Sequence, residues 1–125
     1  MFAMRFFIDE KHPKSHMNVG IFSVAYEILD DTETEEYIRL NIRETLNWFT
    51  EHLKVPELDD PRAIYWFKDS ESKCIENIWK LVTFLRLSGK VVSHIRMPQA
   101  KIGYILYEDD KQIAAIPFKD TRRVI

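Results

Sequence analysis

The chain is poor in the residues that usually announce chemistry. A single cysteine, Cys74, among 125 residues rules out an intramolecular disulfide and any multi-cysteine zinc site. Only three glycines occur, Gly20, Gly89 and Gly103, so there is no glycine-rich loop through which a backbone could approach a phosphate. No apolar run nears the ~18 residues of a membrane-spanning helix. The N-terminal MFAMRFFIDEKHPK lacks the hydrophobic region and cleavage site of a signal peptide. An excess of one charge is missing too. With 18 Lys and Arg against 20 Asp and Glu, the formal net charge is −2, which disfavours a general nucleic-acid binder. Together these absences describe a soluble protein suited to a reducing cytoplasm.

What is present is the material of a folded core. Hydrophobic residues make up 46% of the chain and aromatics 13%, including eight Phe and three Trp. This is enough for one substantial core, so residues 1–125 are expected to form a single globular domain. Residues 2–8, FAMRFFI, have strand composition, with Arg5 set inside the apolar run. In residues 21–29, IFSVAYEIL, the alternation of Phe22, Val24, Tyr26 and Ile28 predicts a second strand, paired with the first as a hairpin. DDTETEEY has capping-box spacing at Thr32 and Glu35. It should open a helix with Ile38, Ile42, Thr45 and Phe49 on its buried stripe, ending before Pro56. Arg62–Lys68 reads as a strand. A second helix then starts near Asp69, with Cys74, Ile75, Ile78, Leu81, Val82 and Leu85 on its inner face and Gly89 beyond its end. VVSHIRM is a further strand, and IGYILY and QIAAIPF flank EDDK as a closing hairpin.

The resulting expectation is an α/β (α+β) domain in the order β-β-α-β-α-β-β-β, a mixed sheet of about six strands with two helices. One consequence bears on function. The strand Ala63–Phe67 is apolar on both faces, with Ala63, Tyr65 and Phe67 on one side and Ile64 and Trp66 on the other. Such a strand must be covered twice. If both helices share one face, a loop, the C-terminal tail or a partner has to cover the other.

Candidate chemistry is sparse. Lys68, Asp69, Ser70 and Lys73 sit where a strand meets a helix, a place that favours anions through free helix N–H groups. Asp and Ser there also serve as ordinary helix caps. Cys74, on an apolar stripe, reads as a small buried hydrophobe. His12, His16, His52 and His94 fall in no metal-ligand or triad spacing. The acidic clusters at Asp30-Asp31, Asp59-Asp60 and Glu108-Asp110 lie in turns, where Asp serves the backbone. Arg86, Lys90, Arg96, Lys101, Arg122 and Arg123 make the C-terminal half locally basic, and with Tyr104 and Tyr107 they allow an RNA-binding reading.

The sequence thus favours a non-catalytic interaction protein that needs no cofactor or metal. It would bind a protein partner or its own copy through an apolar sheet or helix face, with Trp66, Trp79, Phe84, Leu87 and Tyr104 as contacts. The alternatives are a small enzyme or anion-ligand binder using Lys68–Ser70, and RNA binding by the basic half. No resemblance to a known family emerges from these residues.

Overall fold

The computed structural model describes residues 1–11 and 18–125. Among them the order is β1 (Phe2–Lys11), β2 (Asn18–Gly20), α1 (Ile21–Asp30), α2 (Glu36–His52), β3 (Ile64–Lys68), α3 (Ser72–Leu87), β4 (Val92–Pro98), β5 (Tyr104–Glu108) and β6 (Gln112–Ile116). His12 and His16 fall outside the described residues.

Strand β1 organises the sheet. Along one edge it pairs with the whole of β4, from Phe2↔Pro98 to Ile8↔Val92. Two strands share its other edge: β3 meets Ala3 and Met4, and β2 meets Phe7 and Ile8. Strand β3 continues to β6, and β6 to β5. Every one of these pairings is antiparallel. The mixed sheet expected from consecutive β-α-β crossovers is therefore an antiparallel one. The reason lies in β1. Both β3 and β4 run antiparallel to it, so they are parallel to each other, but β1 stands between them and they never become neighbours.

The second predicted strand is a helix, and the chain carries three helices rather than two among the described residues. IFSVAYEIL fits both periods. Phe22, Val24, Tyr26 and Ile28 alternate, but Ile21, Val24, Ala25 and Ile28 also recur at i, i+3, i+4 and i+7. The second set is the one buried, while Tyr26 is exposed. Helix α2 opens at Glu36 rather than at a capping box; Thr34 Oγ1 donates instead to the Ile28 carbonyl at 2.8 Å, tying the link to α1. Its stripe of Ile38, Ile42, Thr45, Leu46 and Phe49 is buried as the spacing predicts. Gly89 takes φ 96° after α3, with Lys90 N bonded to the Leu85 carbonyl, the left-handed stop expected there.

All three helices pack on one face of the sheet, where Met4, Phe6, Ile8, Phe67 and Val92 join them in one core. The opposite face holds Ala3, Trp66, Ile113 and Ala115, and its cover comes from the same chain. Ile102, after a short 3-10 turn, and Ile125 in the tail complete that second core. Thr121 Oγ1 fastens the tail by donating to the Lys101 carbonyl at 2.6 Å. The start of β5 is equally close-packed: a Cβ on Gly103 would lie 2.0 Å from the Ile116 carbonyl oxygen, and its φ is 145°.

Ile125→Ala should therefore lower stability by about 2–4 kcal/mol, read as a lower urea midpoint at unchanged slope. A change below about 0.5 kcal/mol, the size of an ordinary surface substitution, would mean that the tail does not close this face.

Candidate functional site

The Lys-Asp-Ser corner is already neutralised by its own neighbours. Lys68 Nζ lies 2.6 Å from Glu108 Oε2 on β5, and its side chain is only 12% exposed. Asp69 is held from the other direction, by Arg96 of β4 at 2.7 Å. Asp69 does not cap α3 as expected. That helix starts three residues later, at Ser72, and its N-terminus has no side-chain cap. Ser70 and Lys73 are exposed. The corner thus works as a strap between sheet edges, and its cation and anion are committed in opposite directions.

The proposed partner contacts scatter in the same way. Trp66 is fully buried in the second core. Trp79 is half-buried, edge-on to Phe6 at 5.1 Å, and Phe84 is half-buried against Tyr37. Only Leu87, on the outer side of α3, and Tyr104, on β5, are exposed. Cys74 is buried, and desolvation pushes its thiol up to about 12, so it is no nucleophile at neutral pH.

His52 Nδ1 donates to the Trp48 carbonyl of its own helix at 2.8 Å and its ring stacks on Trp48, while His94 stacks on Phe6. Asp31, Asp60 and Asp109 each accept a backbone N–H two residues on, the turn role their positions suggest. Burial alone would raise the Asp109 carboxyl, but bonds from the Tyr107 hydroxyl and the Lys111 and Gln112 N–H groups hold it below the usual carboxylate range. Among the described residues no three His, Cys, Asp or Glu side chains form a metal-binding cluster. Of the basic residues, Arg96 pairs with Asp69 and Arg86 donates to the Val92 carbonyl; both are engaged within the fold.

The concave site lies elsewhere, in a flaw of the sheet. Because β3 leaves β1 after Met4 and β2 joins it only at Phe7, the edge of β1 away from β4 has no strand beside Arg5 and Phe6 among the described residues. A cleft of about 510 Å³ fills this wedge, a volume within the range of small-molecule sites. The start of α1, from Gly20 to Ser23, and the end of α2, at Leu46, Phe49 and Leu53, form one wall. Ile64, Tyr65 and Phe67 of β3 form the other, and Lys54–Pro56 with Pro61 lies across it. Gln112 is buried beneath and its amide donates to the Lys54 carbonyl, fixing that loop to the sheet.

Arg5 is the unusual member of this lining. Only 4% of it is exposed. One guanidinium nitrogen, Nη2, donates to the Asn18 carbonyl, whereas Nη1 is buried with no hydrogen-bond partner among the described residues. No carboxylate pairs with it among the described residues, and the segment 12–17, HPKSHM, contains neither Asp nor Glu. Burial lowers its pKa from the ordinary arginine range to about 10, a displacement equivalent to roughly 3 kcal/mol of uncompensated desolvation. The depressed pKa fixes the sign. The penalty is present in full at neutral pH and is relieved only as pH rises through about 10 toward the ordinary arginine range. Asn18 Oδ1, also on the lining, is likewise buried without a partner. Among the described residues the cleft is lined by two cations, Arg5 and Lys54, and by no Asp or Glu, in a chain whose net charge is −2.

The comparisons with known proteins leave this geometry to stand alone: no family profile, no curated protein and no solved structure matches the chain. No helix among the described residues is long and apolar enough to cross a membrane. Sequence reasoning passed over the cleft because it is assembled from five separated segments. One signal was visible, an arginine at a strand position flanked on both sides by core residues.

Arg5 is then a residue that the fold carries at a cost, and Arg5→Met should leave the melting temperature equal to or above that of the wild type. A fall of several degrees would show that Arg5 is a structural tie and not a site residue.

Proposed function

We propose that the chain is a small-molecule-binding protein whose site is the cleft between β2, β3 and the ends of α1 and α2. The observation that carries this reading is the wedge itself. A sheet that buries Trp66 completely on one face leaves about 510 Å³ unfilled at its central strand, walled by Phe22, Phe49, Tyr65 and Phe67. Close packing is the rule in protein interiors, and apolar walls with a few polar groups are the ordinary composition of a ligand site.

A fragment screen followed by amide chemical-shift mapping tests the reading. Hits should shift residues 18–23, 46–56 and 63–67, and Leu53→Trp, which fills the cleft, should abolish them. Hits confined to other surfaces, or none at all, would remove the proposal.

A second reading, self-association, is favoured by one observation. Strand β5 is the outer strand of the sheet, and Tyr104, Ile105 and Leu106 on it are 65%, 48% and 43% exposed. An unpaired apolar edge is a template for antiparallel pairing with a second copy. Sedimentation at rising concentration should show a dimer that Ile105→Lys returns to monomer; a monomer throughout would dismiss this reading.

A further inference from the structure

We infer that the occupant of the cleft is an organic monocarboxylate with an apolar body, its carboxylate bound by Arg5 and the N–H groups at the start of α1. This inference rests on the cleft being a ligand site and adds the chemical class of the ligand.

Two independent features point to an anionic head. The first is Arg5, almost wholly buried, with Nη1 unbonded and no acid to neutralise it among the described residues. A planar guanidinium presents parallel donors that match a carboxylate, so an arriving carboxylate supplies both the missing acceptor and the missing charge. The second is the N-terminus of α1. Its N-cap is Gly20, which has no side-chain cap, and its first turn has no acidic residue. The first N–H groups of a helix have no partner within it and carry the positive end of its dipole. Residues 20–23 line the same cleft as Arg5, and Arg5 itself bonds the carbonyl of Asn18, two residues before that cap.

The rest of the lining decides the body. Phe22, Phe49, Ile64 and Phe67 are hydrocarbon surface, which adds nothing to the binding of a bare inorganic anion and favours an apolar tail. Among the described residues the lining offers one buried cation and a second, Lys54, that is exposed. That set suits a single negative charge; a dianion would ask for more donors.

Paired probes test the inference: decanoate against 1-decanol, and 1-naphthylacetate against 1-naphthylacetamide. Each would be titrated into the wild type and into Arg5→Met by calorimetry. The wild type should bind each acid at least about tenfold more tightly than its neutral counterpart, since a charge-assisted bond is lost in the latter. Arg5→Met should erase that ratio while keeping the affinity for the neutral probes. Whether the alkyl or the aryl pair binds more tightly identifies the shape of the body. Equal affinity of acid and neutral probe for the wild type overturns the inference and leaves the cleft reading in place. An acid preference that survives Arg5→Met overturns it as well. Failure of all four probes to bind at millimolar concentration removes the inference together with the cleft.

Discussion

Strand β1 has to satisfy hydrogen bonding on two edges and burial on two faces, and most of the architecture follows from how it does so. Six consecutive residues, Ala3–Ile8, are buried. On one edge β4 satisfies it along its length. On the other, no single strand reaches far enough, and β3 and β2 divide the work. That division is what opens the wedge. The even-numbered residues Met4, Phe6 and Ile8 collect the three helices, and Ala3 on the odd-numbered side belongs to the core closed by Ile102 and Ile125. The two cores therefore back onto each other across the sheet, at β1 and at its neighbours β3 and β4. The cleft passes beside β1 at the point where neither β2 nor β3 protects its edge.

Arg5 stands at this point on the odd-numbered side. Buried charges in proteins are ordinarily paired, and the half-buried Lys68 follows that rule with Glu108. Arg5 is buried further and has no carboxylate partner among the described residues. That uncompensated charge beside the cleft is the feature on which the proposed anion site rests. The helix N-terminus beside it has the same polarity.

Much of the fold was legible from local pattern. The first strand, the stripes of α2 and α3, the Gly89 stop and the β5–β6 hairpin with its Asp109 turn all depend on neighbours in sequence, so composition and period reveal them. Even the need for a second cover over Ile64 and Trp66 followed from a strand apolar on both sides. What covers it, Ile125, is 59 positions from Trp66, and no local pattern encodes that. The segment IFSVAYEIL went astray because its periods of two and of 3.6 are both satisfied, and only packing against β1 chooses between them. Asp69 looked like a cap because its spacing suits one; Arg96, 27 residues on, claims it instead. The cleft was illegible for the same kind of reason. It depends on the registers in which β2 and β3 pair with β1, and a register is a tertiary fact.

On the proposed reading Arg5 is left unpaired so that a ligand acid can complete it. A crystal structure of the protein grown with the tightest-binding of the four probes puts this to the test. A carboxylate should lie in the wedge about 2.9 Å from Arg5 Nη1, with its body against Phe49 and Phe67. A probe bound elsewhere, or lying in the wedge with its acid turned away from Arg5, would contradict it.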